Sequence, residues 1–87
     1  MLEYEKIIAN HGLWIKTDGK EGDRADLRRS DLRDADLRRS NLSGAILRDA
    51  DLKGADLRRS DLRCAILIDA DLNGAILEGT ILEAANA

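Results

Sequence analysis

From Ala25 onward leucine recurs at every fifth position, from Leu27, Leu32 and Leu37 through to Leu82, twelve times without a break. Two places before each leucine stands a small residue, Ala, Ser or Thr, from Ala25 to Thr80. An α-helix turns about 100° per residue, so leucines five apart would circle its surface and never form a stripe. A flat strand would throw alternate leucines to opposite faces. Neither element buries all of them. A second, longer period resolves the difficulty: "AILRDADL" at 45–52 returns as "AILIDADL" at 65–72, and "ADLRRS" at 35–40 returns at 55–60. Both offsets are twenty residues, which lies in the range of solenoid repeats. A coil with four short sides, each carrying one inward leucine and one inward small residue, closes on itself and stacks on the next.

The pattern ahead of the repeats is different. Tyr4, Ile7, Ile8 and His11 follow helical spacing, and Gly12 is placed to stop that helix. So short a helix must dock to persist. "LWI" at 13–15 is then expected as a strand leading into the first coil, and "TDGKEGD" at 17–23 as a polar turn. The chain divides into an N-terminal cap at 1–24, a solenoid at 25–84 and a tail at 85–87.

Composition narrows the picture. With no Phe, one Trp and one Tyr among 87 residues, Leu, Ile and Ala must supply the core. A single cysteine excludes an intrachain disulfide framework and suits a reducing cytoplasm. "MLEYEKII" lacks the cationic start and apolar run of a signal peptide, and no apolar stretch approaches membrane-spanning length, so no membrane role is expected. The net charge is only −3, but it is unevenly spread. Residues 25–44 carry five basic and four acidic groups, as do 45–64; residues 65–84 carry Asp69, Asp71, Glu78 and Glu83 with no Lys or Arg, hence −4.

The twelve in-phase units strongly resemble the pentapeptide repeat family, whose unit is a small residue, Asp or Asn, Leu and two variable residues. A His and a Trp three apart just before the repeats resemble the opening of many bacterial and phage members. The resemblance implies an all-β solenoid: a right-handed four-sided β-helix of about three coils, Leu and the small residue inward, with a short N-terminal α-helical cap. Three coils at strand spacing would stand roughly 14 Å tall.

Folded by that rule, the sequence becomes columns. Ser40, Ser60 and Thr80 fall in one inward column, read as buried hydroxyls bonded to backbone carbonyls. Outward, Asp31, Asp51 and Asp71 stack, with Asp49 and Asp69 at the neighbouring corner, as an acidic interaction stripe. Arg38 and Arg39 lie under Arg58 and Arg59 as a basic patch. Ile66, Ile76 and Ile81 stand where the family has Asp or Asn, with Ile68 at another outward position and Ile46 one coil earlier. These isoleucines should face water unless covered, and they are read as a tail-to-tail homodimer interface.

No catalytic, metal or cofactor site is expected. His11 reads as a packing residue, Cys64 as a surface thiol far from it in sequence, and the Asp columns lack the convergent loop ligands of a calcium or magnesium site. A binding protein remains. The family includes mimics of B-DNA that occupy type II topoisomerases such as gyrase, which implies a protein partner that itself binds nucleic acid. Three coils would cover only about four base pairs, and a dimer about eight. A plug for a shorter site, of the kind phage-encoded anti-CRISPR inhibitors provide, fits that size. The alternatives are a structural or adaptor solenoid, and a phosphate-binding module built on the arginines. Direct nucleic-acid binding is less favoured, since aromatic stacking residues are lacking and net charge is negative.

Overall fold

The backbone of the repeat is set at its corners. In the computed structural model, which describes residues 2–86, each leucine carbonyl accepts the N–H of the small residue three positions on. The series runs from Ser30 N–H on Leu27 O (3.2 Å) to Ala85 N–H on Leu82 O (2.9 Å). The fifth residue of every unit has positive φ, for example 60° at Arg29, 58° at Asp34, 75° at Gly44 and 59° at Ala84. A four-residue turn with positive φ only at its third residue is a type II turn. The chain thus bends every five residues, and no side grows into a long strand.

Successive coils pair through nine isolated parallel bridges, every one between residues twenty apart, from Asp26 with Ile46 to Ile66 with Asn86. The middle coil bonds on both sides: Leu52 N–H donates to Asp71 O (2.8 Å) above, and Asp51 N–H to Ser30 O (2.9 Å) below. Asn86 continues this ladder, its N–H on Ala65 O at 2.8 Å, so the segment set aside as a tail at 85–87 joins the stack at Asn86. Ala87 and Met1 lie outside the described residues.

The inward leucines form one core with the alanines between them. Leu27, Leu32, Leu37 and Leu52 are at most 1% exposed, whereas Leu77 and Leu82 at the other end of the stack are 37% and 42% exposed. The expected hydroxyl column is occupied as read at two positions. Buried Ser60 and half-buried Thr80 both donate to Leu57 O, at 2.8 and 2.6 Å.

The one helix among the described residues, α1, spans Glu3–Lys16, and it corrects the expected local structure. Gly12 does not stop it, and residues 13–15 are helical, not a strand. Gly12 sits where an added Cβ would meet nothing within 4 Å, so it costs only its ordinary helix penalty of about 1 kcal/mol. Docking offsets that penalty: Tyr4, Ile7 and Ile8 pack against the core, and Trp14 stacks on His11 with ring centroids 5.4 Å apart. The actual stop is a Schellman motif at Thr17–Gly19. Asp18 takes positive φ (54°), its N–H bonds Ile15 O (3.2 Å), and Gly19 N–H bonds Trp14 O (2.8 Å). Glu3 and Glu5 in the first turn and Lys16 in the last complement the helix dipole. α1 is neither long nor apolar enough to cross a membrane.

His11 fastens α1 to the first coil. The ring is fully buried; Nδ1 accepts the Ala25 N–H at 2.8 Å, and Nε2–H donates to Ser43 O at 2.8 Å. Both nitrogens are therefore used by the neutral imidazole. Burial pushes its pKa below the ordinary 6.5, an effect only partly opposed by the Ser43 carbonyl.

Two substitutions should move stability in opposite directions. Leu52→Ala empties a site that is 0% exposed and should cost about 2–5 kcal/mol. Gly12→Ala adds a methyl into open space on a helix and should add about 0.5–1 kcal/mol. Denaturant melts of the two variants beside wild type measure both.

Candidate interaction surfaces

Outside the core, the second residue of each unit decides what the surface is. Where it is Asp or Asn, its side-chain oxygen accepts the backbone N–H two residues on, as in Arg33 N–H on Asp31 (3.2 Å) and Ser43 N–H on Asn41 (3.2 Å). This Asx turn orients the carboxylate toward the side chain at that same position. Arg28, Arg33 and Arg38 reach Asp26, Asp31 and Asp36 at 2.7 Å, Arg58 and Arg63 reach Asp56 and Asp61 at 2.5 Å, and Lys53 reaches Asp51 at 3.3 Å. Each arginine also donates through Nε, for example Arg33 to Asp31 at 2.8 Å, so the pairs are bidentate forks. The Arg33 and Arg38 guanidiniums hold the Asp31 and Asp36 carboxyls down at about 2, and Asp26, Asp56 and Asp61 are lowered by the same hydrogen bonds. The sequence spacing that encodes this is Asp-Leu-Arg, a signal that a column-by-column count of charge passes over.

The acidic stripe is thereby redrawn. Asp31, Asp51 and Asp71 do stack, bridged in register one coil apart. Cations are interleaved with them: Arg33 lies 3.8 Å from Asp51, and Lys53 lies 3.5 Å from Asp71. At the neighbouring corner Arg29 lies 3.9 Å from Asp49, while Asp69 has no cation within 4.0 Å among the described residues. Lys53 is thus the one cation lying between Asp51 and Asp71, and the stripe grows more acidic toward the last coil.

Arg38, Arg39, Arg58 and Arg59 line one cleft of about 220 Å³. The isoleucines divide. Ile76 and Ile81 are 43% and 45% exposed, but Ile46, Ile66 and Ile68 are half-buried; Ile46 and Ile66 stack with Asn86 in one ladder column and shield one another. Leu77 and Leu82, inward residues by pattern, join Ile76 and Ile81 in the exposed apolar surface. Their signal was positional: they belong to the last coil, where no leucine layer lies above.

Cys64 is exposed at a left-handed corner (φ 59°), and it is not paired with His11, whose ring nitrogens are both occupied. Among the described residues no three His, Cys, Asp or Glu side chains converge as metal ligands would.

The repeat is matched by the family model for pentapeptide repeats, in 8 copies over residues 25–63 and 65–87. Among solved structures, the chain is similar to a pentapeptide repeat protein, Rfr23, from the cyanobacterium Cyanothece 51142, at 37% identity and a TM-score of 0.67, over 70% of this chain and 42% of that one. It is also similar to HetL, a pentapeptide repeat protein involved in heterocyst differentiation regulation in Nostoc sp. strain PCC 7120. That match has 40% identity and a TM-score of 0.69, over 71% of this chain and 30% of HetL. The chain thus spans less than half the length of either. A comparison with curated protein sequences finds no match. These neighbours imply a right-handed quadrilateral β-helix for the stacked coils.

The titrating groups predict a stability profile with two steps. His11 has a lowered pKa in the fold, so it binds fewer protons folded than unfolded, and stability should fall as pH drops below 6.5. Asp31 and Asp36 are also lowered, from 3.8 to about 2, so their contribution is present above pH 3.8 and is lost as pH falls toward 2. Thermal melts between pH 7.5 and pH 2 should show both steps. His11→Gln should remove the upper one alone, and Arg33→Gln with Arg38→Gln should shrink the lower one.

Proposed function

This chain belongs to the pentapeptide repeat family, and from that premise we propose that it is a non-enzymatic binding protein whose acidic corner engages a basic, nucleic-acid-binding protein. Its scaffold on this reading is a right-handed four-sided β-helix of about three coils, capped by α1. The observation that carries the proposal is the grouping of four carboxylates, Asp49, Asp51, Asp69 and Asp71, from two consecutive coils at and beside one corner, with Lys53 and, below them, Arg29 and Arg33 as the cations within 4.0 Å. Carboxylates fixed one coil apart on a rigid wall stand in for backbone phosphates, the mechanism of a DNA-mimic inhibitor. Topoisomerases such as gyrase, and the nucleic-acid-binding effectors blocked by anti-CRISPR proteins, are partners of the right chemistry in a cytoplasmic setting.

Two copies meeting through Ile76, Ile81, Leu77 and Leu82 would bring two such acidic coils side by side and lengthen the surface. That contact joins like charges, so salt should strengthen the dimer while weakening partner binding. A second reading, an adaptor solenoid without mimicry, is favoured by the ion-pair ladder, which neutralises most carboxylates of the first two coils.

The immobilised protein should retain basic nucleic-acid-binding proteins from a bacterial lysate, and duplex DNA should elute them. Replacing Asp49, Asp51, Asp69 and Asp71 by Asn should abolish that retention with the melting transition preserved, because Asn41 already makes the turn that Asp51 and Asp71 make, and Asn tolerates the left-handed corners at 49 and 69. Retention unchanged in the quadruple variant would favour the adaptor reading. Separately, Ile76→Asp with Ile81→Asp should yield a folded monomer by light scattering, against a wild-type dimer that grows with ionic strength.

A further inference from the structure

Like charge is stacked on like charge at two corners of the solenoid, Asp49 beneath Asp69 and Arg39 beneath Arg59. Arg29 lies beneath Asp49, 3.9 Å away, and the corners of Asp34, Gly54 and Gly74 and of Gly44, Cys64 and Ala84 carry no repeated charge. The remaining corner sets Arg39 beneath Arg59, with Arg39 N–H bonded to Arg58 O at 3.0 Å, so the two arginines are held one coil apart. Both are left-handed, with φ of 58° and 61°, a conformation unfavourable for a long side chain. Neither has a carboxylate within 4.0 Å among the described residues. Aspartate tolerates the left-handed conformation at 49 and 69, so it is at Arg39 and Arg59 that backbone preference and electrostatics are violated together, and such coincident violations mark a place where something outside the fold supplies compensation.

The flanking arginines are built differently. Arg38 is fixed by Asp36 through Nε and Nη2 at 2.8 and 2.7 Å, and Arg58 by Asp56 at 2.9 and 2.5 Å. Asp56 also lies 3.8 Å from Arg38, tying the two coils together. They are rigid forks, while Arg39 and Arg59 remain free to close on a ligand. Four guanidiniums against the carboxylates of Asp36, Asp56 and, one coil on, Glu78 beside Arg58 leave a net positive charge around the cleft of about 220 Å³ that these arginines alone line. Gly79 leaves space for the Arg59 stem, since a Cβ there would meet Arg59 Cγ at 3.2 Å.

We propose that this cleft is an anion site for the phosphoryl groups of a small molecule, of the inorganic phosphate and pyrophosphate class, bound by Arg39 and Arg59 against the fixed forks of Arg38 and Arg58. Planar guanidiniums match phosphate oxygens bidentately, and two coils present two such levels. The solenoid carries no aromatic side chain, since Tyr4 and Trp14 both lie on α1, so nothing beside the cleft stacks a base. Recognition therefore rests on the phosphates. The site shares no residue with the acidic corner, and each reading stands or falls alone.

Titration of the protein with sodium pyrophosphate in a calorimeter tests it, with inorganic phosphate and a short DNA duplex as parallel arms. Pyrophosphate should bind saturably, more tightly than phosphate, and should raise the melting temperature by mass action. Arg39→Gln with Arg59→Gln should weaken binding at least about tenfold, and it should melt no lower than wild type without ligand, because a repulsion is removed. Arg39→Gly with Arg59→Gly, which suits the left-handed corner, should lose binding likewise. Arg28→Gln with Arg33→Gln, equal in charge change, should leave it intact. No heat and no melting shift with pyrophosphate would overturn the proposal, as would equal loss in the Arg28 and Arg33 variant. Duplex DNA binding through Arg39 and Arg59 more tightly than pyrophosphate would overturn it in favour of a nucleic-acid site.

Discussion

One hydrogen bond recurs through the whole repeat: the leucine carbonyl accepting the N–H three residues later, across a corner residue of positive φ. Closing that turn every five residues fixes a side of five and a coil of twenty. Twenty-residue periodicity in turn puts chemically equivalent residues directly above one another, which is why ladder bridges, core layers and surface columns share one register. The turn carries a conformational cost wherever the corner is not glycine, about 1–2 kcal/mol at residues such as Arg39 or Cys64. In the first two coils it is offset because each corner also donates its N–H up the stack, as Arg59 does to Glu78 O at 2.9 Å.

Stacking makes the surface as periodic as the core, so an unmodified unit can offer nothing specific. Its own Asp and Arg satisfy each other and the backbone. Distinct surfaces arise where the unit departs from its pattern: isoleucine for Asp at 76 and 81, aspartate at two successive corners of one column, 49 and 69, and arginine at two successive corners of another, 39 and 59. Each departure leaves apolar area or charge that the fold itself does not satisfy, and these are the places from which binding has been argued.

The coil was legible because burial demands a fixed residue type: only leucine fills the inner position, and its spacing of five and twenty could not mean a helix or a flat strand. The corner was not legible, because its requirement is on φ and not on chemistry, and Arg, Asp, Cys, Ala and Gly all meet it. Gly12 was misleading for the converse reason: its propensity is real but small beside the docking of Tyr4, Ile7, Ile8 and His11. The columns of Asp31, Asp51 and Asp71 and of Arg38, Arg39, Arg58 and Arg59 were placed correctly by register. What counting could not show was which charges are spent locally, since that depends on the Asx turn aiming a carboxylate at the side chain two residues on.

The buried imidazole of His11 joins three points that are distant in the chain: its own helix, Ala25 where the first coil opens, and Ser43 on that coil's last side. Both bonds can exist together only once the chain has gone round a full circuit and brought its fourth side back beneath α1. The histidine is therefore a register gauge, which scores a completed circuit and gives nothing for a partial one. It makes helix and first coil a single cooperative step, and the long loop that must close before any reward is collected places the entropic barrier of folding at this end of the molecule. Later coils then add to an existing template, each at a lower cost than the first.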